Sequence, residues 1–147
     1  MQPCGNATIT VTVTNTGAVD GSEVVQLYVS WGGYVDGSPT PDVQLADFQR
    51  VAVAAGQSVQ VTLVVDARHY AVLQAQPPGP NSSWVPPAWT MKPATLQVSV
   101  GGQQPTATPR LPSNVLAGSF AVAGDASPAS RCPRWLPHDR RGPTIHA

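Results

Sequence analysis

Two runs of alternating residues near the start of the chain constrain its fold more than any other feature. In residues 8–14, isoleucine or valine alternates with threonine, and in residues 23–29, Val25, Leu27 and Val29 take every second position. A period of two places successive side chains on opposite faces of an extended strand. Each run is therefore predicted to be a β-strand that buries one face.

The residues between these two runs predict a tight corner. Asn15 and Gly17 tolerate the left-handed backbone that tight connections use, and Gly21 gives the same freedom before the second run. We therefore expect left-handed backbone at this corner.

Further strands are predicted from apolar alternation along the rest of the chain. They are residues 48–53, 58–66, 69–73, 95–101 and 119–123. Residues 74–93 contain six prolines, which exclude a helix and an interior strand, so this segment is predicted to be a long loop. About seven short strands at these spacings predict an all-β fold, an immunoglobulin-like antiparallel β-sandwich of two sheets.

The length of 147 residues suits one domain with a tail. We expect the sandwich to occupy residues 7–123. Residues 124–147 are rich in proline, arginine and small residues, and are predicted to be a disordered tail. Because a predicted strand follows so closely on Met1, the chain is interpreted as a fragment or a piece of a longer protein.

Charge and hydropathy disfavour two classes of partner. Only 11% of the residues are charged and the formal net charge is zero, so no overall field attracts nucleic acid or an anionic membrane. No apolar run reaches the length of a membrane span, and the first residues do not resemble a signal peptide. We expect neither nucleic acid nor membrane as a partner. The residues leave the localisation open.

The titratable residues do not predict a catalytic or metal site. The carboxylates near predicted strand ends are interpreted as turn caps or solvated ends; they are Asp20, Glu23, Asp42, Asp47 and Asp66. The histidines, His69, His138 and His146, stand far apart. We therefore predict no catalytic residue, no metal and no cofactor. Cys4 and Cys132 lack neighbouring metal ligands, and two unpaired thiols are favoured over a disulfide between them.

Aromatic side chains in predicted loops are candidates for carbohydrate contact. Trp84 and Trp89 share the proline-rich loop, and Tyr34 lies in a glycine-rich loop. Sugars stack their pyranose faces on such rings. The alternative, which we favour, is that these rings cover the ends of the sandwich.

Apolar residues on the predicted outward faces indicate a second kind of surface. Val24, Tyr28 and Val64 lie opposite the inward residues of their strands. In a larger protein such residues would form a docking face for a neighbouring domain.

Two motifs resemble a known family. The first runs from Val13 through Asn15-Thr16-Gly17 to Gly21 and the strand Glu23-Val24-Val25-Gln26-Leu27-Tyr28-Val29; the second contains Pro41, Gln44-Leu45, Phe48, Arg50-Val51 and Gly56. Both resemble the fibronectin type III-like domain at the C-terminal end of family 3 glycoside hydrolases, the β-glucosidases and β-xylosidases. Weaker matches are Trp89 with Val98-Ser99-Val100-Gly101-Gly102, and the segment from Leu111 to Val122. The family pattern is not met at four positions: Val43, Asp47, Ala94 and Leu96.

The resemblance implies a function for the parent enzyme rather than for this chain. In the resembled enzymes the catalytic nucleophile and acid lie in upstream domains, so this chain is expected to be a non-catalytic accessory domain whose partners are the catalytic domains of a glycoside hydrolase. If the parent is secreted, an extracellular or cell-wall location follows. The alternative is an independent carbohydrate-binding or adhesion-type module, with an oligosaccharide as partner. A plain structural spacer is the third interpretation.

Overall fold

The computed structural model describes residues 1, 4–32, 40–80, 84–105, 114–124, 127–128 and 132. These residues form nine β-strands and one short 3-10 helix. The strands are β1 (Ala7–Thr14), β2 (Gly21–Ser30), β3 (Gln44–Val53), β4 (Ser58–Val65), β5 (Ala71–Gln74), β6 (Ala88–Met91), β7 (Ala94–Gly101), β8 (Val115–Val122) and β9 (Ser127–Pro128). The 3-10 helix, Ala67–His69, lies between β4 and β5.

The strands form a β-sandwich, as the alternation predicted. One layer is a four-stranded sheet in the order β3-β2-β7-β8. It packs against β1 and β4, which pair with each other, and a small sheet in the order β5-β6-β9 completes the fold. All described pairs are antiparallel. The all-β prediction is confirmed, with β6 and β9 added to the seven predicted strands.

The pairing of β1 with β4 explains why valine and threonine alternate there. Ile9 lies opposite Leu63 and Val11 opposite Val61, so these side chains share the core face. On the outer face hydroxyl groups meet across the strands: the Oγ1 atoms of Thr10 and Thr62 are 3.3 Å apart, and Thr14 Oγ1 and Ser58 Oγ are 2.7 Å apart. Cross-strand hydroxyl pairs of this kind stabilise a sheet and suit a solvated face.

The corner between β1 and β2 differs from the prediction in its mechanism. Among the described residues, positive φ occurs only at Cys4, Gly32, Gly56 and Gly124, so the expected left-handed backbone at the corner is wrong. Asn15 acts through its side chain instead. Its Nδ2 donates to Val19 O and Val53 O at 2.8 and 2.9 Å, and its Oδ1 accepts from Gly17 N at 2.9 Å. The amide joins the corner to the end of β3.

The expectation of two unpaired thiols is wrong, because Cys4 and Cys132 form a disulfide. The chain returns to the sandwich after β8: β9 pairs with β6, and Cys132 is buried beside Met91. This return brings the Cα atoms of the two cysteines to 5.2 Å across a sequence separation of 128 residues. A disulfide that closes so long a loop stabilises a fold by about 4–5 kcal/mol.

The return also bears on the predicted tail. Of residues 124–147, the structure describes 124, 127–128 and 132, and two of these parts, β9 and Cys132, belong to the fold. The other positions of the tail lie outside the described residues. Their disorder stays a prediction.

The proline-rich segment is not entirely a loop. Residues 88–92 contain no proline, and Ala88–Met91 forms β6, which pairs with β5 on one side and β9 on the other. The prediction of an unbroken loop was wrong here because it averaged over the whole segment. The described residues contain no helix that is long and apolar enough to cross a membrane.

Candidate functional site

The exposed apolar surface of the four-stranded sheet is the first candidate site. In β2, Val24 and Tyr28 point away from the core, as predicted from the sequence, because they alternate with buried Val25, Leu27 and Val29. The register places two β3 residues on the same side: Phe48 opposite Gln26 and Leu45 opposite Tyr28. We call Val24, Tyr28, Leu45 and Phe48 the outer sheet face.

The outer sheet face is apolar and accessible. Phe48 is 63% exposed, Leu45 44% and Val24 38%, while Tyr28 is half-buried. Monomeric proteins seldom group exposed large apolar side chains in this way without a partner. These residues therefore form a group of exposed apolar side chains on one side of the sheet.

Hydrogen bonds hold the polar parts of this surface in place. Tyr28 Oη donates to Gln26 Oε1 at 2.6 Å, and Gln26 Nε2 donates to Gly102 O at 3.4 Å. Arg50, opposite Val24, donates from Nη2 to Ser22 Oγ at 3.1 Å. These hydrogen bonds fix the positions of the polar side chains that lie between the exposed apolar ones.

Sequence reasoning did not include Phe48 and Leu45 among the docking residues. The register between β2 and β3 shifts after Leu27, which pairs with Asp47, while Tyr28 pairs with Leu45. This bulge at Ala46 turns Leu45 to the same side as Phe48, although the two are three positions apart. A strict period of two would place Leu45 and Phe48 on opposite faces of the strand. The sequence also does not show that Phe48 lies opposite Gln26.

Val64 does not belong to the outer sheet face. It lies in β4, opposite Thr8, in the other layer of the sandwich. Its backbone N donates to Asp47 Oδ2 at 2.9 Å, so it lies where the edge of β3 approaches β4. The sequence-predicted docking residues are thus divided between two surfaces.

The β5–β6 hairpin carries the two candidate sugar-binding tryptophans. Trp89 is 47% exposed and lies opposite Leu73, which is 46% exposed, and Trp84 is 80% exposed. Tyr34 lies outside the described residues, so its place relative to these rings stays a prediction. The hairpin therefore carries a second set of exposed aromatic side chains, which shares no residue with the outer sheet face.

The main titratable cluster caps the 3-10 helix. The Asp66 carboxylate accepts from Arg68 N at 2.9 Å and forms an ion pair with the Arg68 guanidinium. Asp66 N donates to His69 Nδ1 at 3.2 Å, which completes a capping box. This hydrogen bond needs an unprotonated Nδ1. A charged His69 would instead turn to the Asp66 carboxylate, whose Oδ1 is also 3.2 Å away.

The environment of this cluster shifts its proton affinities. Burial alone would raise the pKa of Asp66, but hydrogen bonds and charge from Arg68, together with His69, hold it below its usual value. Burial lowers the pKa of His69, against the opposing pull of Asp66. Both shifts favour a carboxylate beside a neutral imidazole, which is the state that the cap requires.

Asp20 and Glu23 also bind main-chain groups, which agrees with their interpretation as caps. Asp20 Oδ1 accepts from Ala55 N at 2.9 Å, and Glu23 Oε1 accepts from Val24 N at 2.8 Å. Within the described part of the chain, no three histidine, cysteine or acidic side chains gather as a metal site.

Comparison with known proteins identifies relatives of this fold. The sequence profile of the fibronectin type III-like domain matches residues 23–104, more than half of the chain. A probable beta-glucosidase D of Emericella nidulans is 38% identical over 85 residues, which are 54% of this chain and 10% of the relative. Beta-glucosidase cel3A of Pyricularia oryzae is 40% identical over 84 residues, 56% of this chain and 11% of the relative. The chain spans about a tenth of the length of these curated relatives.

Solved structures agree on the fold. A beta-glucosidase from Listeria innocua in complex with glucose superposes with a TM-score of 0.60 at 20% identity, covering 85% of this chain and 15% of that one. The GH3 beta-glucosidase of Bifidobacterium adolescentis gives a TM-score of 0.57 at 25% identity, covering 81% of this chain and 15% of that one. In each case the likeness involves a small part of a much longer polypeptide.

Proposed function

Because the chain belongs to the fibronectin type III-like domain family, we propose that it is a non-catalytic accessory domain of a family 3 beta-glucosidase or beta-xylosidase. The observation that carries this proposal is the pattern of coverage. Curated beta-glucosidases match just over half of this chain, but with only about a tenth of their own length. The chain is therefore similar to one domain of such enzymes, and the remaining nine tenths hold their other domains.

The chemistry of the described carboxylates supports a non-catalytic role. Retaining glycosidases need two carboxyl groups about 5 Å apart that face the substrate. Here each of four carboxylates accepts a backbone N–H from a turn, a strand or the 3-10 helix; they are Asp20, Glu23, Asp47 and Asp66. A carboxylate committed to such bonds is poorly placed to act as nucleophile or acid.

The outer sheet face supports docking on the catalytic part of the enzyme. Phe48, in the edge strand β3, is 63% exposed, and the β2 residues nearest to it, Gln26 and Tyr28, are hydrogen bonded to each other. Burying an aromatic side chain of this size contributes about 1.5–3 kcal/mol. A partner that covers this face would also cover Val24 and Leu45.

A binding experiment tests this function. Beta-glucosidase D of Emericella nidulans would be produced without the segment that matches this chain, and titrated with the chain by calorimetry. We expect a complex that the substitution Phe48→Ser weakens about tenfold, since about 1.4 kcal/mol changes Kd by that factor. Val19→Ser is the matched control, because Val19 is 76% exposed but lies at the corner between β1 and β2.

Three outcomes would contradict the proposal. They are the absence of any complex, equal weakening by the control and by Phe48→Ser, and release of glucose or xylose from aryl glycosides by the purified chain alone. The first two outcomes would contradict docking through the outer sheet face. The third would contradict the non-catalytic role.

Carbohydrate binding by the β5–β6 hairpin is the second candidate function. The exposures of Trp84 and Trp89 favour it, because an accessible indole offers the apolar face on which a pyranose ring stacks. Titration with cello- and xylo-oligosaccharides should then change tryptophan fluorescence, and Trp89→Ala should remove the change. Fluorescence that is unaltered at millimolar sugar would exclude this candidate.

A further inference from the structure

Met1 is bound to the outer edge of β8 in the manner of a neighbouring strand. Its N donates to Ala121 O at 2.8 Å, and its O accepts from Ala123 N at 2.7 Å. One residue that bonds the positions on either side of Val122 forms a parallel bridge with it. Met1 thus behaves as one residue of a strand that runs parallel to β8.

The rest of this edge has no partner strand within the described residues. β8 is the last strand of its sheet, and its outer edge pairs there with Met1 alone. Because backbone groups alternate in direction along a strand, Ala117 and Ser119 direct their N–H and C=O groups outward like Ala121. An edge of this kind is a template for a further strand.

A cleft of about 320 Å³ continues from this edge into the space between the two layers. One wall is β1, including Val11 and Val13, and the opposite wall includes Leu116 of β8; Val25 and Val100 line it as well. The volume corresponds to about ten water molecules, or to a few apolar side chains. Five aliphatic side chains line it, together with two glycines and four polar residues, Thr12, Thr14, Glu23 and Asn114. The aliphatic part offers apolar contact to an incoming side chain.

Two core-side residues that line this cleft, Leu116 and Val11, are not fully buried. Leu116 lies opposite buried Val100, on the core face of the sheet, and is nevertheless 63% exposed. Val11 lies opposite Val61, which is 1% exposed, but is itself only partly buried. The described residues leave both side chains without the cover that their facing partners have.

We propose that this edge and cleft accept one extended strand, parallel to β8, from the rest of the glycosidase polypeptide. The identity of the donor rests on the proposed function, whereas the acceptor geometry does not depend on it. Peptide strands that add to a sheet edge gain affinity from main-chain hydrogen bonds and specificity from alternate side chains.

The bridge at Met1 fixes the pattern of the incoming strand. Met1 lies beside Val122, whose side chain is buried, and itself packs against the core. Counting back from Met1, the second, fourth and sixth positions lie beside Phe120, Gly118 and Leu116, on the same face. Apolar side chains are required at those three positions. Gly118 leaves room for the middle one, because nothing lies closer than 3.7 Å to a Cβ built there.

Two extended versions of the full chain test this register. One carries Val-Thr-Val-Thr-Val-Thr directly ahead of Met1, which places valine at the second, fourth and sixth positions counting back. The other carries Thr-Val-Thr-Val-Thr-Val, which has the same composition but the opposite phase. Covalent attachment gives the strand a high effective concentration at the edge.

The in-phase extension should raise the midpoint of thermal unfolding and slow amide exchange at Ala117 and Ser119 at least tenfold. The out-of-phase extension should do neither. Leu116→Lys, at a position that is 63% exposed, should leave the unextended chain folded and remove the gain from the in-phase extension.

Equal behaviour of the two extensions, or unchanged exchange at Ala117 and Ser119, would overturn the proposal. A gain that survives Leu116→Lys would show that the strand does not enter the cleft. Neither readout involves a glycosidase, so this test can fail while the docking experiment succeeds, and the reverse.

Discussion

Replacing Asn15 tests whether one amide holds the corner of the sandwich together. Its side chain makes three hydrogen bonds, to Val19 O, Val53 O and Gly17 N, while its backbone N donates to Gln57 O at 2.9 Å. The substitution Asn15→Ala removes the first three and keeps the fourth. It therefore isolates the contribution of the side chain.

The expected loss can be worked out from these contacts. The bonds to Val19 O and Gly17 N are exposed, and that to Val53 O is partly buried. With about 0.5 kcal/mol for each exposed bond and about 1–1.5 kcal/mol for the partly buried one, the loss is about 2–2.5 kcal/mol. For a domain of this size that lowers the midpoint of thermal unfolding by about 8–10 °C.

Asn15→Asp sharpens the test because it is nearly the same shape. A carboxylate keeps the acceptor for Gly17 N but has no donor, so it would face the carbonyls of Val19 and Val53. We expect it to destabilise at least as much as alanine at neutral pH. Unfolding in urea, followed by tryptophan fluorescence, measures both variants.

The control is the exposed neighbour Thr16, for which alanine should change the free energy of unfolding by less than about 0.5 kcal/mol. A loss below about 0.5 kcal/mol for Asn15→Ala, or native stability for Asn15→Asp, would refute the account of the corner given by these hydrogen bonds.

Two further predictions concern packing and pH. A Cβ at Gly101 would lie 2.2 Å from Asn114 O, so Gly101→Ala should separate β7 from β8 and sharply lower the urea midpoint, whereas Gly118→Ala, with 3.7 Å of clearance, should be tolerated. Equal effects would contradict this steric reason. Burial lowers the pKa of His69 from 6.5, so its stabilisation is complete above that value and is lost as the pH falls through the lower folded-state pKa. The lowered pKa of Asp66 adds a second loss below 3.8. Thermal unfolding at stepped pH should show both losses, and His69→Asn should remove the first; a gain in stability below pH 6.5 would contradict the sign.

Local sequence pattern was enough to predict the fold class and the orientation of most strands. Alternation depends only on neighbours along the chain, so it correctly placed Val25 and Leu27 inward and Val24 and Tyr28 outward. It also predicted that acidic residues such as Asp20 would cap turns, since short carboxylates bind nearby backbone N–H groups wherever the chain turns.

Features that depend on distant segments could not be predicted in this way. The disulfide needs residue 132 to return to the start of the chain, and the outer sheet face needs the bulge that brings Leu45 beside Tyr28. Neither is encoded in a local period of two. The corner shows the same limit, because the partner of Asn15 that matters most, Val53, is 38 residues away.

The open edge of β8 is a feature that the sequence pattern did not predict and the structure adds. Along β8 only Val115 and Val122 are buried, although Leu116 and Phe120 occupy the core side. Of the core-side residues of β8, Val122 is buried, Phe120 is partly buried and Leu116 is 63% exposed, so the core side of this strand is not fully packed. Because burial of apolar area is the main term that stabilises a sandwich, the missing cover at Leu116 is a cost to this chain alone and a source of affinity for an added strand. Under the proposal above, Leu116, Gly118 and Phe120 therefore determine which positions of the added strand must be apolar.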